Sequence, residues 1–165
     1  MIKKEITEWI KAAIFALIFY IIINVFIFSA RVDGASMYPT LNDDDFLISL
    51  KGIINNDYKY GDIVVFEIES RDYLLIKRII GLPGDHIEIK KGNVYRNGTK
   101  LNEPYIDVET DGDINQIIEE GNYFVLGDNR GNSADSRVPE IGQISAENIR
   151  GKILFRLYPL PKKFN

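Results

Sequence analysis

The chain contains no cysteine. A disulfide framework, a zinc–thiolate site and a cysteine nucleophile are therefore excluded. That absence leaves the compartment open, because a cysteine-free chain is safe in either redox environment. Histidine is almost absent as well, with His86 the only one. It stands in Gly84-Asp85-His86-Ile87, just after a turn, and reads as a strand start rather than the base of a Ser–His–Asp triad. Positive charge is not in excess: 20 Lys and Arg stand against 24 Asp and Glu, a net charge of -4. Nucleic acid is therefore not the expected partner, since phosphate binding needs a basic face. Past residue 31 no useful helical period, internal repeat or low-complexity linker is visible.

What is present suits one globular domain and a short appendage: 165 residues, 45% hydrophobic and 27% charged. The appendage is residues 12–30, from Ala12-Ala13-Ile14-Phe15 to Phe28-Ser29-Ala30. This run carries no charge over about 19 residues, nearly enough for a helix to cross a hydrocarbon core. Lys3, Lys4 and Lys11 precede it and Arg31 alone follows closely. The positive-inside rule places residues 1–11 in the cytoplasm and 31–165 outside. A cleaved secretory leader is the weaker alternative. Its apolar core would be shorter, and Phe28 is too large for the -3 position of a site at Ala30. A buried core helix would show a polar stripe, which this run lacks apart from Asn24.

The remainder reads as short β-branched and aromatic strands bounded by turn residues. They are residues 46–50, 62–66, 73–80, 86–89, 93–95, 122–126 and 151–157. Asn97-Gly98 between Val94-Tyr95-Arg96 and Thr99-Lys100-Leu101 signals a type I′ hairpin. The hairpin explains the triplet better than a glycosylation acceptor does. The acidic stretch 107–120 reads as an exposed loop. Its Asp111-Gly112-Asp113-Ile114-Asn115 resembles the start of a calcium loop, but Gln116 stands where glycine is needed and Asn122 where the bidentate Glu belongs. The expected fold is mainly β: an antiparallel body of packed sheets or a partly closed barrel behind one N-terminal transmembrane helix.

Four segments carry candidate chemistry. Gly34-Ala35-Ser36-Met37-Tyr38-Pro39-Thr40-Leu41 sets a serine in a constrained turn between small residues and a proline. The Ser36 N–H is also a possible oxyanion donor. Leu74-Leu75-Ile76-Lys77-Arg78-Ile79-Ile80 alternates so that Leu75, Lys77 and Ile79 share one face. A lysine flanked by Leu75 and Ile79 can be desolvated, which disfavours its ammonium form and readies it as a base. From the strand alone, a lysine snorkelling from the sheet edge is the favoured reading. Gly81-Leu82-Pro83-Gly84-Asp85 lacks the Gly-Lys-Ser/Thr ending of a phosphate loop and reads as structural. In Gly127–Arg137, Ser133 could orient a lysine amine, and Asp135 with Arg137 could form a bidentate pair. A solvated loop with local Asx turns is the alternative, and the residues alone do not decide.

Together and in this order, the anchor and these segments resemble bacterial type I signal peptidases. The matching stretches are Gly34-Ala35-Ser36-Met37-Tyr38-Pro39-Thr40-Leu41, Gly61-Asp62-Ile63-Val64-Val65-Phe66, Lys77-Arg78-Ile79-Ile80-Gly81-Leu82-Pro83-Gly84-Asp85 and the box from Gly127 to Arg137. The resemblance implies a serine endopeptidase with a Ser/Lys dyad: Ser36 as nucleophile, Lys77 as general base, Ser133 orienting the lysine. Asp135 and Arg137 would support them, with Asp128 and Asn129 opening the box. It implies an antiparallel β fold with a variable insertion near residues 90–121, and neither a metal nor a cofactor. The substrates implied are signal peptides of exported preproteins, cut after small residues at -1 and -3 (Ala-x-Ala). Val32, Leu47, Val65, Leu75 and Ile76 are nominated for the pocket. The setting implied is the bacterial plasma membrane, single-pass, with the lipid bilayer and a secretion translocon as neighbours and the chain monomeric. Gly34 stands where Gram-negative members carry an oxyanion-hole serine, as in many Gram-positive members. Two other readings are weaker. A self-cleaving SOS-type repressor would carry a DNA-binding domain in place of the anchor. An inactive tethered β domain need not keep Ser36, Lys77 and Ser133 together.

Overall fold

The computed structural model describes residues 2–52, 57–68 and 73–164, with side chains from residue 5 onward. Helix α1 spans Ile2–Phe26, a length of about 37 Å at 1.5 Å per residue. Its Glu5–Phe26 portion is long and apolar enough to cross a membrane. From Glu5 to Phe26 every side chain is exposed. An apolar helix with no buried face suits lipid better than water, and this one fits a single-pass anchor.

The helix stops four residues short of the expected boundary. Ile27–Arg31 is strand β1, paired antiparallel with β2, Phe46–Lys51, from Ile27↔Leu50 to Arg31↔Phe46. A short apolar run cannot by itself distinguish a helix end from a strand. Here the exposed ladder of β2 satisfies the backbone groups of residues 27–31 and captures them as a strand.

The remaining strands are β3 (Ile63–Phe66), β4 (Leu75–Gly81), β5 (His86–Lys90), β6 (Asn93–Arg96), β7 (Thr99–Lys100), β8 (Ile114–Ile117), β9 (Asn122–Leu126), β10 (Ile144–Ser145), β11 (Ile149–Tyr158) and β12 (Lys162–Lys163). One sheet has the order β1-β2-β11-β3-β4-β9-β10, with β12 on β11; the other has the order β7-β6-β5-β8. All pairings are antiparallel. The body is mainly β, as the pattern of short strands implied.

Strands β3 and β9 are buried on both faces. Val64 and Phe66 join Ile79, Val125, Ile144 and Ile149 in one core. Ile63 and Val65 join Val32, Met37, Leu41, Leu47 and Ile153 in a second. Phe124 and Leu126 look into a third, with Ile80, Ile87, Ile89 and Val94. Strand β4 contributes to all three through Ile79, Ile76 and Ile80. It is thereby fixed on both faces, which matters for the lysine it carries.

The acidic stretch 107–120 is not simply a loop. Its Ile114–Ile117 pairs with β5 from His86↔Ile117 to Ile89↔Ile114. Ile114 packs on the third core, and that apolar contact recruits a segment whose polar composition masked the strand. The expected hairpin at Asn97-Gly98 is present, and both residues have positive φ, 52° and 78°, as a type I′ turn requires.

Asp85 closes the junction between the two sheets. Its carboxylate accepts from Leu82 N (2.7 Å), Arg96 Nε (2.5 Å) and Asn97 Nδ2 (2.7 Å). Burial pushes its pKa up, but the hydrogen bonds from Arg96, Leu82 and Asn97 outweigh burial and hold it below the ordinary carboxylate value. A depressed folded-state pKa contributes stability that is complete above the unfolded value and lost as pH falls through the folded one. Asp85→Asn is expected to cost about 1–3 kcal/mol at neutral pH. Urea denaturation of the detergent-solubilised protein should show that difference shrinking as pH is lowered below about 4.

Candidate active site

Ser36 lies in the turn that follows β1. Gly34 has φ 91° there, a conformation that glycine adopts without strain, and its N–H donates to Asp43 Oδ1 at 2.8 Å. Backbone bonds from Tyr38 N to Ala35 O (3.1 Å) and from Leu41 N to Met37 O (2.9 Å) tighten the next residues. Met37 and Leu41 are buried in the second core. The serine's direct neighbour is thus an apolar plug that holds the turn in place.

Lys77 lies on β4 opposite Val64. Leu75 and Ile79, on its own face, pack in the first core, and the lysine is only 2% exposed. The snorkelling alternative is thus set aside. Its Nζ donates to Ser36 Oγ at 2.8 Å and to Ile76 O at 2.9 Å. Both groups face a cavity of about 580 Å³ walled by Phe28–Arg31 of β1, Asp33, Val65 and Tyr73–Ile76. Of the nominated pocket residues, Val65, Leu75 and Ile76 line this cavity. Val32 and Leu47 are not among the residues that line it; they are buried in the second core, the same core that Val65 joins behind this wall. The wall that the sequence did not reveal is β1, hidden inside what read as the membrane span.

The loop from Gly127 to Arg137 holds the serine turn from behind. Asn129 N donates to Ser36 O at 3.0 Å, and Asn129 Nδ2 to Ala35 O at 3.0 Å. Gly127 is required by contact: a Cβ there would lie 2.6 Å from Ser36 O and would collide with Ser133 Oγ. Asp128 receives a bidentate bond from Arg78, Nε to Oδ1 at 2.8 Å and Nη2 to Oδ2 at 2.6 Å. Arg78 also donates to Gly61 O at 2.8 Å and stacks on Tyr105, 4.1 Å from the ring centroid. Burial opposes the guanidinium charge, but the hydrogen bonds and attraction to Asp128 prevail and keep its pKa above the usual value.

Asp135 and Arg137 form the expected pair, with Nε–Oδ1 at 2.8 Å and Nη2–Oδ2 at 2.9 Å. Asp135 Oδ2 also accepts from Gly127 N at 3.0 Å, so the pair acts on the loop's first residue. Ser133 does not make the expected bond to the lysine: its Oγ is buried and finds no hydrogen-bond partner among the described residues. It packs instead against Gly127.

Four groups outside the sequence-level selection complete the loop. Arg130, 2% exposed, donates to Gly127 O at 2.9 Å and to Glu103 Oε2 at 3.0 Å, and also to Thr110 Oγ1. Tyr105 donates to Glu103 Oε1 at 2.9 Å. Burial, followed by the negative charge of Glu103, pushes the Tyr105 hydroxyl's pKa up. Nothing local in Leu101-Asn102-Glu103-Pro104-Tyr105 announces this role, because both arginine partners are distant in sequence.

The fold and site define a class first: an antiparallel β protein behind an apolar helix, with a buried amine bonded to a serine hydroxyl. Comparison with known proteins narrows it. The family described as "Signal peptidase, peptidase S26" matches residues 6–158. The chain is 40% identical over 172 residues to signal peptidase I S of Bacillus subtilis (strain 168), covering 95% of this chain and 91% of that one. Against signal peptidase I of Bacillus licheniformis it is 36% identical over 170 residues, with 95% and 91% covered. A crystal structure of a signal peptidase I from Enterococcus faecalis V583 is similar at TM-score 0.52 and 30% identity, over 58% of this chain and 96% of that chain. The chain belongs to the signal peptidase family, peptidase S26. It is a serine endopeptidase with the activity of a signal peptidase I.

Two outcomes follow from the loop geometry. Gly127→Ala must displace Ser36 O or Ser133, and a displacement near 1 Å is expected to lower kcat by about 10²-fold. Steady-state kinetics beside a thermal melt would separate that loss from unfolding. Asp128→Ala leaves the buried Arg78 charge uncompensated and is expected to cost about 3–5 kcal/mol in urea denaturation.

Proposed function

We propose that the chain removes N-terminal signal peptides from exported preproteins, cutting after small residues at -1 and -3 through an acyl-enzyme on Ser36. The observation that carries this reading is the 2.8 Å contact between Lys77 Nζ and Ser36 Oγ, made by a lysine withdrawn from water. Burial disfavours an ammonium, so the amine can be held neutral and ready to accept a proton.

Ser36 Oγ attacks the scissile carbonyl while Lys77 takes its proton. The resulting ammonium protonates the leaving amine as the peptide bond breaks. Lys77 then deprotonates a water that attacks the ester, and the proton returns to Ser36 as the acyl group leaves. Val65, Leu75 and Ile76 give the cavity an apolar wall, which suits small aliphatic side chains upstream of the cut. Asn129 holds the Ser36 carbonyl, and the Asp135–Arg137 and Arg78–Asp128 pairs hold the loop that carries Asn129. The apolar part of the helix is the anchor, with its lysine-bearing N-terminal end (Lys3, Lys4, Lys11) in the cytoplasm and the β body outside. Confinement to one membrane with the substrate raises the effective concentration of each for the other.

The test is cleavage of a preprotein with an Ala-x-Ala site by the solubilised full chain. Ser36→Ala and Lys77→Ala are each expected to lower kcat by at least about 10³-fold without loss of fold. Lys77→Arg should be equally inactive, because a guanidinium stays protonated. Activity retained in Lys77→Arg would mean that the site uses a cation and not a base.

A further inference from the structure

Arg31, Asp33 and Lys77 are the acidic and basic side chains that line the cavity beside Ser36. Lys77 is bonded to Ser36 Oγ. Arg31 pairs with Asp44 at 3.2 Å, so its charge is offset. Asp33 is exposed, and its carboxylate has no ion-pair or hydrogen-bond partner among the described residues. An uncompensated negative charge therefore stands at the mouth of an otherwise mainly apolar cavity. Asp43 adds to the same sign, since the partner of its Oδ1 is a backbone group, Gly34 N at 2.8 Å. The backbone on both sides of Asp33 is fixed. Val32 is 5% exposed in the second core. Its N–H donates to Asp45 O at 2.9 Å, and its carbonyl accepts from Asp44 N at 3.0 Å. Gly34 is held by Asp43. A short side chain between two such fixed points has little freedom to turn away from the cavity.

We propose that Asp33 is a specificity-determining residue: its carboxylate favours a lysine or arginine at position -2 of the substrate and disfavours an acidic residue there. The inference rests on the proposed function and deepens it. Small residues at both -1 and -3 mean that these two side chains meet the same apolar wall. Alternate side chains share a face when a chain is extended. The side chain at -2 then points away from the wall of Val65, Leu75 and Ile76, toward the mouth where Asp33 stands. A long cationic side chain at -2 reaches the carboxylate, and an acidic one is repelled. The pair forms in contact with solvent, so it contributes a preference and not a requirement. It is also screened by salt. Arg31 would favour the opposite charge at -2, but Asp44 already occupies its guanidinium.

The test uses three soluble peptides that differ only at -2 of an Ala-x-Ala site, with lysine, glutamine or glutamate there. Each is cleaved by the full-length enzyme in an uncharged detergent at low salt. The lysine peptide is expected to have about threefold higher kcat/KM than the glutamine peptide, and the glutamate peptide about threefold lower. The spread should shrink as salt is raised. Asp33→Asn is expected to bring the three within about twofold of one another, and Asp33→Lys to reverse their order. Any effect of the carboxylate on Lys77 is common to all three peptides and cancels in these ratios. A thermal melt reports the fold of each variant. Equal cleavage of the three by the unaltered enzyme, or the same order kept in Asp33→Asn and Asp33→Lys, would overturn the proposal. So would a folded Asp33→Asn inactive on all three, because a group that only selects charge is dispensable for cutting. Cleavage of none of them by the unaltered enzyme would overturn the signal-peptide reading beneath it.

Discussion

A buried ion pair between Arg78 and Asp128 ties the strand that carries the lysine to the loop that holds the serine. Ser36 and Lys77 are 41 positions apart in sequence, and a contact of 2.8 Å between them leaves little room for slippage. Arg78 is the residue after Lys77 and points to the other face of β4. Its bidentate grip on Asp128 therefore fixes the register of Lys77 against the Gly127–Arg137 loop. Two buried charges are costly to desolvate. The cost is offset here because Gly61 O and the Tyr105 ring also engage the guanidinium.

The same device is repeated along the loop. Arg130 with Glu103, and Arg137 with Asp135, are further pairs in which the carboxylate is nearly or wholly buried. A loop has no ladder of backbone bonds to stiffen it, so side-chain forks supply the rigidity. Their backbone targets are telling. Arg130 reaches Gly127 O, Arg137 reaches Arg130 O, and Asp135 accepts from Gly127 N. What they shape is the stretch from which Asn129 grips Ser36 O and Ala35 O. Preorganised positioning of this kind is what two side chains need in order to act together.

The apolar helix and the candidate site are also joined closely. Helix α1 passes into β1 with no intervening loop, and β1 is both the partner of β2 and one wall of the cavity that Ser36 and Lys77 face. A helix that fits a membrane anchor and a wall of that cavity are thus one continuous stretch of chain.

The motifs made much of this legible in advance. Apolar length without charge announced the helix, and β-branched runs between turn residues announced the antiparallel body. Alternation along 74–80 placed Lys77 between Leu75 and Ile79, as observed. These features depend on near neighbours in the chain, and local order is enough to read them. The rest depends on contacts between distant residues. The switch from helix to strand after Phe26 is decided by β2, some twenty residues on; the strand at Ile114–Ile117 is decided by β5. Glu103, Thr110 and Tyr105 acquire their meaning only where the fold brings Arg130 and Arg78 to them. The directions of Val32 and Leu47, which pack in the second core, are likewise set by the sheet around them. The sequence alone determined which groups could do the chemistry and that they sit behind an apolar helix. Tertiary structure decided which of them meet, because hydrogen bonds and ion pairs act over a few ångströms in space and disregard separation along the chain.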